Sequence, residues 1–178
     1  MMDTSLRRWQ LSGFIFTCIT GTLLHFVYDW SGKNSLLGSI SAVNESVWEH
    51  MKLLFIPLFL FALTEMAIFS DHHQCFWRIK LAGTLFGLTL IPTIFYTYTG
   101  AFGVHLTWLD ISIYYFAAAL VFLLETRLFH RCCRSSAAWE WGSLFLLWVL
   151  AFAFLLFTYA PPHLPLFLDP VTFTYGPS

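Results

Sequence analysis

Charge is scarce in this sequence. Only 11% of the 178 residues are charged, against roughly 25% in an ordinary soluble domain. A chain that is 58% hydrophobic cannot cover a water-facing surface with so little charge, so a bilayer is its natural solvent. A basic face is missing as well. The formal net charge of −1 excludes the electrostatic class of nucleic-acid binder. No low-complexity linker sets off a soluble domain. No internal repeat divides the chain, which argues against a transporter built from two matched halves. Local metal signatures such as H-E-x-x-H are absent. Cysteine is limited to four residues, and Cys132 and Cys133 are adjacent rather than spaced C-x-x-C, so no redox motif is supported.

Long apolar runs are abundant. A spanning helix needs roughly 20 mostly apolar residues, and five segments qualify: about Leu11–Trp30, Val47–Phe69, Ile79–Tyr98, Leu106–Leu128 and Ala137–Tyr159. The expected fold is therefore an all-α integral membrane bundle of five transmembrane helices in one domain, multi-pass in the cell membrane, with a tail over residues 160–178. Arg7 and Arg8 precede the first run, but no small-residue cleavage pattern follows it, so it reads as an uncleaved span. Positive charge sorts the loops. Arg7, Arg8, Arg78, Lys80, Arg127, Arg131 and Arg134 fall on one side, and only Lys33 and Lys52 on the other. This predicts a cytoplasmic N-terminus and an external C-terminus. Cys75, Cys132 and Cys133 then fall on the cytoplasmic side and Cys18 within the membrane, so no disulfide is expected.

The same sorting gathers polar side chains at the outer end. In "LLHFVYDWSG", His25 and Asp29 are four apart and share a helix face. An ionisable group inside a span is costly and marks a functional candidate. Asn44, Glu45, Trp48, Glu49, His50 and Lys52 crowd the entry of the second span. If that helix starts near Asn44, Glu45 and Glu49 form one stripe with Lys52 beyond. Ser46-x-x-Glu49 also fits a capping box, and Glu49–Lys52 an ion pair. Those structural readings leave Asn44, Glu45 and His50 unexplained. Tyr96, Tyr98, His105 and Asp110 flank a Gly-rich outer turn. The Pro-rich tail cannot continue a helix. Its apolar run is expected to fold back as a lid, bringing His163 and Asp169 near the site. On the opposite side His72 and His73 read as a solvated turn, and Glu65, Glu125 and Glu140 as structural helix-end carboxylates.

Together "HFVYDWSG", "AVNESVWEHMKLLFIP" and "PLFLDP" resemble an uncharacterised family of small bacterial multi-pass membrane proteins, a domain of unknown function whose specific part is the N-E-S-x-W-E-H run. The resemblance implies an integral membrane protein and carries no activity with it. Residue chemistry therefore supplies the functional reading. His25, His50 and His105 are candidate metal ligands. Glu45, Glu49 and Asp29 are candidate catalytic carboxylates. Asn44, Glu45, Trp48, Glu49, Tyr96, Tyr98 and Asp110 are candidate ligand contacts. His, Asp and Glu are ligand types suited to zinc, and a spare carboxylate beside a metal suits general-base work on bound water. The expected function is binding of a metal ion or small polar ligand at the outer face. A metal-dependent hydrolase or transferase at the outer leaflet is the alternative, and a scaffold subunit of a membrane complex a third. The polar groups stop in the outer half, which counts against free conduction.

Overall fold

The computed structural model describes residues 2–69, 75–131 and 136–177. The described residues form helices α1 (Met2–Trp30), the short α2 (Ser35–Gly38), α3 (Val47–Phe69), α4 (Phe76–Phe102), α5 (Thr107–Arg131) and α6 (Ala137–Tyr159), followed by a 3₁₀ turn at Pro165–Phe167. Five of these helices are long and apolar enough to cross a membrane. Three apolar runs begin or end inside longer helices. α1 starts nine residues before Leu11 and carries Arg7 and Arg8, and α4 runs on to Phe102. Apolar composition marks the stretch that needs hydrocarbon, whereas backbone hydrogen bonding carries a helix on into the polar interface.

α3 is the central helix and packs on α1, α4, α5 and α6. Its apolar residues point in nearly every direction, as burial among neighbours requires, and Leu54, Phe55 and Ala62 are almost wholly enclosed. α4 lies against α5 and α6, while α1 closes the bundle against α3 and α5. α4 ends at Gly103, whose φ of +66° lies in the left-handed region that a glycine enters without steric cost. The turn delivers His105 ahead of α5.

The tail does fold back. Phe167 is buried and packs its ring on Trp48 at 4.8 Å and Phe157 at 5.6 Å. Asp169 Oδ1 accepts hydrogen bonds from the backbone N–H of Val171 at 2.7 Å and of Thr172 at 3.3 Å, which shapes a tight turn closed by a bridge between Leu168 and Tyr175.

One expectation is overturned here. Cys75 is disulfide-bonded. Cys132, Cys133 and the His72–His73 pair lie outside the described residues. The expectation rested on the compartment a thiol faces, not on the local packing around Cys75. Cys75 is only 3% exposed, so even a reducing compartment has poor access to its sulfur.

Candidate functional site

The site begins with how α3 starts. Asn44 Oδ1 accepts the Ser46 N–H at 2.9 Å, a local turn that competes with helix. Ser46 is the N-cap, its Oγ accepting the Glu49 N–H at 3.4 Å. α3 therefore opens at Val47 and leaves Glu45 on the loop. The expected stripe of Glu45 and Glu49 on one helix does not form. Glu45 instead turns toward α1. Its backbone is held there by the tail, because the Glu45 N–H donates to Asp169 Oδ2 at 3.4 Å and Asn44 Nδ2 donates to the Gly176 carbonyl at 2.9 Å.

Three ligand-type side chains then meet. Glu45 Oε2 lies 3.5 Å from His25 Nε2 and 3.7 Å from His50 Nε2. The two imidazole centroids are 5.7 Å apart, and one ligand atom from each of the three residues falls within 4.8 Å of the others. Four-coordinate zinc with bonds near 2.0–2.1 Å sets its ligands roughly 3.3 Å apart, so the two carboxylate–imidazole edges are already near that spacing. His50 has its orientation fixed as well. His50 Nδ1 sits 3.0 Å from the Ser46 carbonyl, which can only accept, so Nδ1 carries the proton. In the neutral ring Nε2 then keeps its lone pair facing Glu45. Metal-binding histidines are oriented in this way by an outer hydrogen bond. The hydrogen bond to His25 holds the Glu45 carboxyl below the usual carboxylate range, aided by the charges of His25, His50 and His105 and opposed by burial.

A second cluster faces the first. His105 Nε2 lies 2.7 Å from Asp110 Oδ2, and the Tyr98 hydroxyl donates to Asp110 Oδ1 at 2.5 Å. His105 precedes α5, so spacing along one helix does not govern the pair. Both clusters line a cavity of about 300 Å³ that reaches His25, Glu45, His50, His105, Asp110 and Tyr114. Tyr114 is anchored across the floor by donating to the Thr17 carbonyl at 2.8 Å. Gly21 makes that approach possible, since a Cβ there would run into the tyrosine hydroxyl.

A family model matches residues 1–177. The chain belongs to a family of unknown function, DUF6512. No curated protein and no solved structure matches it.

Other candidates in this DUF6512 chain lie away from the cavity. Asp29 is exposed, and Glu45 rather than Asp29 is the close carboxylate partner of His25. Asn44 ties the tail. Trp48 packs among Phe154, Phe157 and Phe167. Tyr96 is 40% exposed, with its ring against Phe95. His163 packs on Tyr175 at 4.7 Å. Glu49 faces inward at 2% exposure, but toward a separate buried network. Its Oε2 is 2.6 Å from Lys52 Nζ and accepts the Val43 N–H at 3.1 Å, while its Oε1 accepts from Thr158 at 3.1 Å. Lys52 also donates to the Gly38 carbonyl and to Thr158. Glu49 therefore takes the ion-pair role. The capping box is not completed, since its carboxylate accepts the Val43 N–H while the Ser46 N–H goes to Asn44, and Glu49 lines no part of the cavity.

Sequence reasoning missed a further charged cluster in this DUF6512 chain. Lys80 Nζ lies 2.6 Å from Glu65 Oε2 and 2.6 Å from Glu125 Oε2, all three groups nearly inaccessible. Gln10 Nε2 donates to Glu65 Oε1 at 3.2 Å. The available signal was three ionisable residues inside three different apolar runs.

Proposed function

We propose that this multi-pass membrane protein binds a divalent metal ion of the zinc class, through His25 Nε2, the Glu45 carboxylate and His50 Nε2. The carrying observation is the meeting of these three groups, from α1, the connecting loop and α3, with His50 already turned by Ser46. Three protein ligands leave a fourth position for water or a ligand, the arrangement of catalytic rather than structural zinc sites. The excess of Lys and Arg at the opposite end of the bundle favours an external location for the cavity.

The test is metal content by mass spectrometry on protein purified without added chelator, followed by zinc titration of the metal-stripped protein. The expected result is about one zinc per chain, lost in His50→Ala. Wild-type protein that neither retains nor rebinds zinc overturns the reading.

One observation favours a second reading, a hydrolase or transferase acting at that face. The His105–Asp110 pair lines the same cavity. A histidine oriented by a carboxylate is the usual form of a general base. In this reading Asp110 and Tyr98 orient His105, and His105 accepts the proton of a nucleophile entering the cavity.

A further inference from the structure

At the opposite end of the bundle a second, open cavity of about 580 Å³ lies between α1 and α5, within the size range of small-molecule sites. Its lining combines two kinds of surface. Phe14, Phe122 and neighbouring apolar side chains form one wall, and Arg7, Arg127 and His130 form the rim. No acidic residue is among the described residues that line it. Arg127 has no carboxylate at ion-pair distance among the described residues.

One lining group is buried and only half satisfied. Gln10 is 4% exposed, and its Oε1 has no hydrogen-bond partner among the described residues. Its Nε2 is committed to Glu65, whose charge is matched by Lys80. A buried amide oxygen left alone costs about 1–3 kcal/mol, so this end of the cavity calls for a hydrogen-bond donor.

We propose that this cavity is a binding site for an anionic phospholipid whose headgroup carries a hydroxyl. The arginines at the membrane-interface ends of α1 and α5 take the phosphate, the Gln10 amide oxygen accepts from the headgroup hydroxyl, and an acyl chain lies along Phe14 and Phe122. Basic pockets between spanning helices are suited to anionic headgroups. The apolar wall separates a lipid from a soluble phosphate, which has nothing to place there. Phosphatidylcholine offers neither a net negative charge nor an N–H or O–H donor, so it is the natural competitor.

The experiment uses the full-length protein in neutral detergent, with dioleoyl phosphatidylglycerol and dioleoyl phosphatidylcholine at equal concentration. Native mass spectrometry reads which lipid is retained. Phosphatidylglycerol should be retained preferentially. Arg7→Gln together with Arg127→Gln should weaken its retention by roughly 25-fold, about fivefold for each arginine. Ala119→Trp narrows the same cavity with both arginines in place, and it should also lower retention. It keeps the test open should the arginine variant fail to assemble. Equal retention of the two lipids overturns the proposal, as does a phosphatidylglycerol preference that survives both variants. Inorganic phosphate or glycerophosphoglycerol binding as tightly as the whole lipid also overturns it, since the site then reads a free phosphate.

Discussion

Glu49→Gln separates a buried ion pair from a metal ligand. The Glu49 carboxylate is 2% exposed and Lys52 fully enclosed, with 2.6 Å between Oε2 and Nζ. Glutamine keeps the length and one acceptor oxygen, so either the Val43 N–H or the Thr158 hydroxyl can still be satisfied. It cannot neutralise Lys52, which is left with the Gly38 carbonyl and Thr158 hydroxyl as uncharged partners. Breaking a buried pair by removing one member costs about 3–5 kcal/mol, and the retained hydrogen bond puts this variant near 3 kcal/mol. The assay is reversible unfolding in mixed micelles, run beside zinc titration. Glu49→Gln should lose that stability yet bind zinc as the wild type does. Adding Lys52→Met should recover part of the loss, because the unmatched charge goes with it. A Glu49→Gln protein of unchanged stability that no longer binds zinc would refute the reasoning and move Glu49 into the metal site.

His50→Ala should lower zinc affinity by more than the roughly 10–100-fold typical of losing an outer hydrogen-bond partner, measured by competition with a chelating dye. Asp169→Ala removes the acceptor of three backbone N–H groups and should cost about 1–3 kcal/mol, with faster hydrogen exchange across residues 168–176 and at Glu45. Reporter fusions should place Ser178 outside the cytoplasm and the loop at residues 71–77 inside it. The reverse result would invert the proposed orientation of both cavities.

The spans were legible because hydrocarbon demands long apolar runs, and all five runs coincide with long helices. The residue types of the cavity were partly legible too, since a cap and an ion pair left Glu45 and His50 unexplained, and the charge bias placed His25, His105 and Asp110 at the same outer level. Their partners were not. Spacing along one helix suggested Asp29 for His25, yet the nearby carboxylate comes from a loop 20 residues on, where the Asn44 turn delays α3 and frees Glu45. Spacing likewise joined Glu49 to Glu45, although Glu49 answers to Lys52 and to Thr158 of α6. Lys80 was counted as a loop charge because it lies near the start of an apolar run. Only the packing of α3, α4 and α5 shows it seated between Glu65 and Glu125. Lys52 and Lys80 are both buried, and setting them aside leaves the charge bias between the two ends intact.

The contact between the Glu45 N–H and Asp169 spans 124 residues of chain, and this imposes an order on biogenesis. Translation at about 5–20 residues per second separates the two partners by roughly 6–25 s. His25, Glu45 and His50 are all made early, while the segment that holds the Glu45 backbone emerges only after the fifth span. During that interval the early helices can insert and pair with the loop still untethered. On the proposed metal reading, zinc capture would be a late event in maturation, and stalled chains that stop within α6 should insert normally yet remain metal-poor.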